Sequence, residues 1–399
     1  MNFSKNPAYI QLSEHNVADY AGVSGFFAAN ETLAAKELSD GNINFVFRVS
    51  SMQSGKSVIV KQATSWLRSN TDMLLTDDRV GNEVRSLRLM DEIVSGSVPK
   101  IYYYDSVMKC CIMEDCKDYK VMRSQLMCFK TYTFFAEFIA KFMAKLHFYT
   151  SDFSLDGITK KQRVCEYTNP ELSKITERLV YTEPFTNYLN RNTVPEKLLG
   201  YVQKEFYEDD SLHAAVATRK YEFLTCMQAI IHGDLHTGSV LINENGCKVF
   251  DSEFASYGPC GFDIGCIVGN LIFSYLHARV VGGQTEFGDW VLGCASDILK
   301  LYQDEFLELT KDKNKDLMLK SNSFARRFVK EVIVSSVAVA GIELLRRTIG
   351  KAKVAEITEL PTEEMKIVAM RGALVVGKQL VMNPVQYSEG LSELTGLLD

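Results

Sequence analysis

Alternation of apolar and polar positions dominates the first part of the chain. Phe45-Val46-Phe47-Arg48-Val49 and Ser57-Val58-Ile59-Val60-Lys61 are rich in β-branched and aromatic residues and flank a turn signal at Ser54-Gly55-Lys56. They predict two strands. The period then changes: between Arg79 and Met90 the apolar residues Val80, Val84, Leu87 and Met90 recur at helical spacing. Strand character returns at Pro99-Lys100-Ile101-Tyr102-Tyr103-Tyr104 and at Cys110-Cys111-Ile112-Met113-Glu114. Two strands, a helix and further strands predict a small α+β lobe.

Beyond about residue 117 the pattern becomes helical. Phe135, Phe138, Phe142 and Leu146 form one stripe of an amphipathic helix from Phe134 to Phe148. Long helical segments follow to the end, interrupted by one strand–turn–strand block from Ile230 to Phe254. A boundary near residues 114–120 predicts an N-terminal lobe over 1–116 and a mostly helical C-terminal lobe over 117–399. Clefts between domains are favoured places for ligands. The uncharged apolar stretches Ile264–Leu276 and Val332–Ile342 fall short of the roughly 18 residues that a membrane span needs, so they read as core helices.

Composition narrows the classes. The chain has 399 residues, 46% hydrophobic and 24% charged, with a formal net charge of -6. These values suit a globular protein with a full core and lack the basic footprint of a nucleic-acid binder. No basic flank and apolar run mark a secretory signal at Met1–Ile10. Ten cysteines are scattered without a C-x-x-C pair, so they read as thiols in a reducing, cytoplasmic compartment. The cluster Cys110, Cys111 and Cys116 reads as small buried groups rather than a zinc site.

Most of the chemistry lies in Ile231-His232-Gly233-Asp234-Leu235-His236-Thr237-Gly238-Ser239 and, after a turn at Asn243–Gly246, in Asp251-Ser252-Glu253. On a strand, residues two apart share a face, which predicts that Asp251 and Glu253 project together. Paired carboxylates without a basic neighbour in sequence suit a hard divalent cation bound with phosphate oxygens. One loop aspartate that accepts a hydroxyl proton, followed by a metal-holding acidic site, is the arrangement of phosphoryl transfer. His232 and His236 have the spacing of a helical zinc pair, but Gly233 and Gly238 would break that helix and no H-E-x-x-H glutamate is present. His232 is expected to brace the loop, and His236 to brace it or to line the cleft.

Three further features complete the set. Val58-Ile59-Val60-Lys61 has the form of the V-A-I-K strand whose lysine meets nucleotide phosphates, and Glu83 on the next helix is its candidate partner. Asp40-Gly41-Asn42-Ile43-Asn44 precedes that strand pair and is the candidate nucleotide loop. Arg346-Arg347 ends the helix predicted over Glu331–Leu345. Two readings stand side by side for it: cations that stabilise a helix C-terminus, or guanidinium groups that reach a hydroxylated substrate or the transferring phosphoryl.

On these motifs, together with Met113-Glu114-Asp115, Asn169-Pro170-Glu171-Leu172 and Gly258-Pro259-Cys260-Gly261-Phe262-Asp263-Ile264-Gly265, the chain resembles the 5-methylthioribose kinase family. That family shares a broad fold group with aminoglycoside phosphotransferases and choline kinases. Ser239, where aminoglycoside and protein kinases usually place Asn, is the methylthioribose kinase form. The resemblance implies an α+β, protein-kinase-like fold of two lobes, a small β-rich N-lobe and a large mostly helical C-lobe. It implies transfer of the ATP γ-phosphoryl to the 1-hydroxyl of 5-methylthioribose in methionine salvage, with Mg2+ as cofactor. Asp234 would be the general base or hydroxyl-orienting group, Asp251 and Glu253 the metal ligands, and Asn44 and Lys61 phosphate contacts, with Glu83 and Ser252 in the same nucleotide site. Glu114, Asp115 and Cys116 would offer backbone groups to adenine, and Arg346, alone or with Arg347, would contact the sugar or stabilise the transferred charge. It also implies a homodimer with no nucleic-acid or membrane partner. Two alternatives remain: a kinase of the same fold for another small alcohol, such as an aminoglycoside or choline, and a non-catalytic nucleotide-binding protein.

Overall fold

A computed structural model describes residues 9–22, 24–38, 44–63, 66–67, 70–74 and 79–398. The chain divides into two compact units, one of residues 1–119 with 248–255, the other of residues 120–247 with 256–399. The sequence boundary near residue 117 did not anticipate that the end of the strand–turn–strand block, residues 248–255, packs with the first unit. Its reason is physical: Val249 donates its N–H to the Ser97 carbonyl at 2.7 Å, and Asn82 holds the Glu253 and Ala255 carbonyls at 2.9 Å each.

The first unit contains helix α1 (Val17–Gly22), strands β1 (Leu33–Glu37), β2 (Phe45–Ser51) and β3 (Ser57–Gln62), helix α2 (Arg79–Ile93), and strands β4 (Ile101–Asp105) and β5 (Cys110–Glu114). The five strands form one antiparallel sheet in the order β1-β2-β3-β5-β4. A two-strand hairpin at Trp66–Leu67 and Asn70–Leu74 stands apart from it. Period-two alternation gives the sheet two apolar faces. Phe47, Val49, Val58, Val60, Cys110 and Ile112 bury against α1 and the segment before it, while Ile59, Cys111 and Met113 meet Val80 and Val84 of α2. Lys61, two positions after Ile59, therefore lies on the α2 side of the sheet, opposite Val46 and Cys111 in register.

The second unit is mainly helical: α3 (Phe135–Thr150), α4 (Gly261–Val281), α5 (Thr285–Asp312), α6 (Asn322–Ile349) and α7 (Glu363–Met382), with shorter helices between α3 and residue 225. Two small sheets hold the polar loops. Strand β6 (Ala229–Ile231) pairs with β8 (Ser256–Gly258), and β7 (Val240–Asn243) pairs with Lys120–Val121. Helix α4 is the spine: it packs against α5 and α6, and α6 packs against α7. Its glycines explain how close α4 and α6 come. A Cβ on Gly265 would lie 2.5 Å from the Val339 Cβ and 2.6 Å from the Ser336 carbonyl oxygen. A Cβ on Gly269 would lie 2.9 Å from the Ala340 oxygen.

Helix α4 runs longer than the apolar stretch read from sequence, 21 residues rather than Ile264–Leu276 alone, and it is long and apolar enough to cross a membrane. Its most apolar 18-residue window is 83% buried within the protein, as befits a core helix. Helix α6 likewise begins earlier than predicted, capped by Ser321, and ends at Gly350, so Arg346 and Arg347 lie inside its last turn. All ten cysteines are free thiols.

Candidate active site

Two charged clusters stand out, one in each unit. In the first, α2 carries Glu83 in its apolar stripe, one turn from Val80 and beside Val84. The Lys61 ammonium meets the Glu83 Oε2 at 2.7 Å and the Asp251 Oδ1 at 2.5 Å. Glu253 is buried beside them and accepts from Asn44 Nδ2 at 2.9 Å, while Arg79 Nε donates to Asn44 Oδ1 at 3.0 Å and lies 3.6 Å from Glu253 Oε2. The cluster thus joins Lys61, Glu83, Asn44, Asp251 and Glu253. The preceding residues Asp40–Ile43 of the expected nucleotide loop lie outside the described residues.

Asp251 and Glu253 are not on a strand, contrary to the sequence expectation. Strand pairing ends at Val249, and Asp251 adopts a left-handed backbone with φ of 66°. This turn sends the Asp251 side chain to a half-exposed position while Glu253 is buried, yet both face Lys61's surroundings. Ser252 is fully buried, its hydroxyl 2.7 Å from that of Ser86 on α2, so its side chain anchors the turn.

Among the described residues this cluster holds three carboxylates around Lys61 and Arg79. Burial pushes the Glu83 carboxyl up to about 7, and burial with the nearby Asp251 pushes Glu253 up, although Lys61 opposes both. Burial would lower Lys61, but Asp251, Glu83 and Glu253 together hold it well above its ordinary value. The lysine stays charged and the surplus lies with the carboxylates. Such a set, all oxygen donors, suits a hard divalent cation completed by waters and phosphate oxygens. Among the described residues no group of three or more His, Cys, Asp or Glu could hold a metal ion by itself.

At the end of β5, Glu114 accepts from Lys248 Nζ and from the Lys100 N–H at 3.0 Å each, and its own N–H goes to the Lys100 carbonyl. Asp115 takes a two-pronged contact from Arg48, at 2.7 and 3.0 Å, plus the Ser57 hydroxyl at 2.7 Å. Burial raises the Cys116 thiol to about 12, leaving it a neutral group. These contacts tie Glu114 and Asp115 to their neighbours in the first unit.

In the second unit, β6 delivers His232 and Gly233 to Asp263 at the start of α4. The Asp263 carboxylate accepts the His232 N–H at 2.6 Å and the Gly233 N–H at 3.0 Å, and Gly233 takes φ of 82°. His232 Nδ1 accepts the Asp234 N–H at 3.3 Å, the bracing role expected for it. The Ser239 hydroxyl closes the loop, accepting the His236 N–H at 2.8 Å and lying 3.0 Å from the Asp234 carbonyl.

Asp234 emerges from this frame with cations on one side. Arg346 Nη2 and Arg347 Nη2 lie 3.5 and 3.3 Å from its Oδ1, and His236 Nε2 lies 3.5 Å from its Oδ2. His236 Nδ1 accepts the Gly238 N–H, so a neutral ring presents its Nε2–H to Asp234. Burial, with Arg347 and Arg123, keeps His236 below its usual range, although Asp234 pulls the other way. Burial would raise Asp234, but His236, Arg347 and Arg346 more than reverse it and hold the carboxyl well below the usual range.

The arginines are themselves buried and paired. Glu343, one turn earlier on α6, meets Arg346 Nε with Oε2 and Arg347 Nε with Oε1, the latter at 2.5 Å. Burial would raise Glu343, yet Arg346 and Arg347 draw it down to about 2. Of the two sequence readings of the arginine pair, burial and convergence on Asp234 favour the reach into a site over a surface helix cap. Sequence reasoning missed Glu343, although its spacing three and four residues before the arginines on a helix was a usable signal. It also missed the contact of His236 with Asp234, which no spacing rule reveals, and Arg79, whose link to Asn44 and Glu253 joins distant stretches of chain.

Fold and site together define a phosphotransferase, and residues 34–289 match the family model described as a phosphotransferase enzyme family. Methylthioribose kinase of Geobacillus sp. strain WCH70 is 35% identical over 96% of this chain and 94% of that protein. The methylthioribose kinase of Bacillus velezensis strain FZB42 is 34% identical over 100% and 98%. The chain belongs to the methylthioribose kinase family. A solved choline kinase from Cryptosporidium parvum Iowa II shares the fold, with a TM-score of 0.53 and 14% identity over 94% of this chain and 99% of that one.

Proposed function

We propose that this enzyme transfers the γ-phosphoryl of ATP to the 1-hydroxyl of 5-methylthioribose, giving 5-methylthioribose 1-phosphate and ADP in methionine salvage. The observation that carries the acceptor side is the convergence of Arg346 and Arg347 on Asp234; family membership supports the choice of substrate. The bond formed joins the sugar oxygen to the γ-phosphorus, and the bond broken is the bridge to ADP.

In this reading Lys61, held by Glu83, contacts the nucleotide phosphates, with Asn44 beside it. Asp251 and Glu253 would hold Mg2+, which when bound neutralises charge on the β- and γ-phosphate oxygens. Backbone groups of Glu114, Asp115 and Cys116 meet adenine, and Ser252 keeps the metal-holding turn in place through Ser86. Asp234 orients the hydroxyl and receives its proton. A carboxylate held so far toward its ionised form is a weak base. Its main contribution is therefore orientation, with proton transfer late along the loose phosphoryl-transfer path. Arg346 and Arg347 hold the sugar hydroxyls and the charge on the transferring group. The protein works as a cytoplasmic homodimer, a part of the reading that rests on the family resemblance.

A guanidinium pair at the acceptor site disfavours cationic acceptors such as choline or an aminoglycoside. Coupled measurement of ADP release tests the whole reading with methylthioribose, ribose, choline and an aminoglycoside as acceptors. Rapid release with methylthioribose alone is expected. Equal release with choline would overturn the substrate assignment, and no release with any acceptor would return the non-catalytic reading.

A further inference from the structure

We infer that Glu343 is a positioning residue for phosphoryl transfer, the group that turns two consecutive arginines onto one oxygen of Asp234. The inference deepens the function proposed above and rests on it. Consecutive residues on a helix project about 100° apart and do not face each other. Arg346 and Arg347 nevertheless bring their Nη2 atoms to the same Asp234 Oδ1, at 3.5 and 3.3 Å. Two guanidinium groups so placed repel.

Glu343 answers both problems. At three and four residues before the pair it shares a face with each, and its two oxygens take the two Nε atoms separately. Each guanidinium is thus fixed at its inner edge and keeps an outer nitrogen for Asp234. The carboxylate itself is only 1% exposed and is held from the side by Asn270 Nδ2, 2.9 Å from Oε1. Asn270 also donates to the Cys266 carbonyl at 2.9 Å and accepts from Arg123 Nη2 at 2.6 Å. The α4–α6 seam fixes the spacing, because a Cβ on Gly269 would lie 3.0 Å from the Glu343 Cβ. Glu343 touches no reacting atom in this scheme; it acts through Arg346 and Arg347.

The test is Glu343→Gln in the full chain, assayed by ADP release with methylthioribose and ATP. Gln can accept from one Nε but presents an N–H to the other. Displacement of one guanidinium predicts a roughly 10–100-fold loss in kcat/KM for methylthioribose, with the KM for ATP within about twofold of the parent. A purely structural role would instead move the kinetics of both substrates together. In an Arg347→Gln background, Glu343→Gln should cause a smaller loss than in the parent, because part of what it positions is gone. Unchanged acceptor kinetics, or an undiminished loss in that background, would overturn the inference. Should Glu343→Gln fail to fold, Asn270→Ala removes the lateral hold on Glu343 together with the Cys266 and Arg123 contacts, and a several-fold acceptor-side loss is then expected; parental acceptor kinetics would overturn the inference. A parent enzyme inactive on methylthioribose would sink the proposed function instead.

Discussion

The two charged clusters treat their carboxylates in opposite ways. Around Lys61 the acids outnumber the cations, and burial pushes Glu83 and Glu253 toward the neutral form. Around Asp234 the guanidinium groups prevail: the part-exposed Asp234 is driven toward ionisation, and so is Glu343, which is as deeply buried as Glu83. Depth of burial is therefore not what separates them; the sign of the local surplus is. On the proposed reading, surplus negative charge suits a cation that arrives with the nucleotide, and the matched cluster keeps a carboxylate ionised beside a neutral hydroxyl.

The strongest way to break this contrast is Asp234→Asn, which keeps the shape and removes the charge. Turnover should fall by roughly 10²–10⁴-fold, the usual worth of a catalytic acid–base group, while nucleotide affinity measured by calorimetry stays near that of the parent. Full activity would remove Asp234 from the chemistry.

The second concerns pH. Glu343 has a folded value of about 2 against an ordinary 4.5. A depressed carboxyl adds stability above its unfolded value and loses it as pH falls through the folded one. This group contributes about 3 kcal/mol that disappears between roughly pH 4.5 and 2. Denaturant titrations across that window should show the slope in the parent and a flatter curve in Glu343→Gln; parallel curves would contradict the ion-pair account.

Asp251→Asn sharpens the other side of the comparison. It removes one negative charge from the surplus and should raise the Mg2+ concentration for half-maximal rate by roughly tenfold or more, given ~1.5–3 kcal/mol for a contact to a charged group. An unmoved magnesium requirement would exclude Asp251 as a ligand. The smallest effect is expected from Gly265→Ala, which touches neither cluster. Overpacking the seam against Val339 and Ser336 should destabilise by about 1–3 kcal/mol, read as a lower melting temperature with the KM for ATP unchanged.

Much of the architecture was legible because it rests on local periodicity. Strands β2 and β3 follow from their β-branched alternation, and α3 from the stripe Phe135, Phe138, Phe142 and Leu146. Lys61 and Asp234 were legible because motif spacing encodes them. The geometry of Asp251 and Glu253 was not, since a left-handed backbone at Asp251 breaks the strand on which the pairing argument stood. The Asn44–Arg79–Glu253 contacts were also invisible, because they arise only once separate segments fold together. The start of α6 was missed because Arg326, Arg327, Lys330 and Glu331 interrupt the apolar run, although Phe324, Ala325, Phe328 and Val329 recur at helical spacing.

That backbone at Asp251 has a consequence for which replacements survive. Gly, and among L residues Asn and Asp, enter the left-handed region most readily, and β-branched side chains hardly at all. A library at this position selected only for soluble expression should be enriched in Asn and Gly beside Asp. Selection for growth that depends on conversion of methylthioribose by the enzyme should leave Asp nearly alone, with Glu failing both screens although it keeps the charge. The gap between the two survivor sets would measure, at a single residue, how far conformation and catalysis make separate demands.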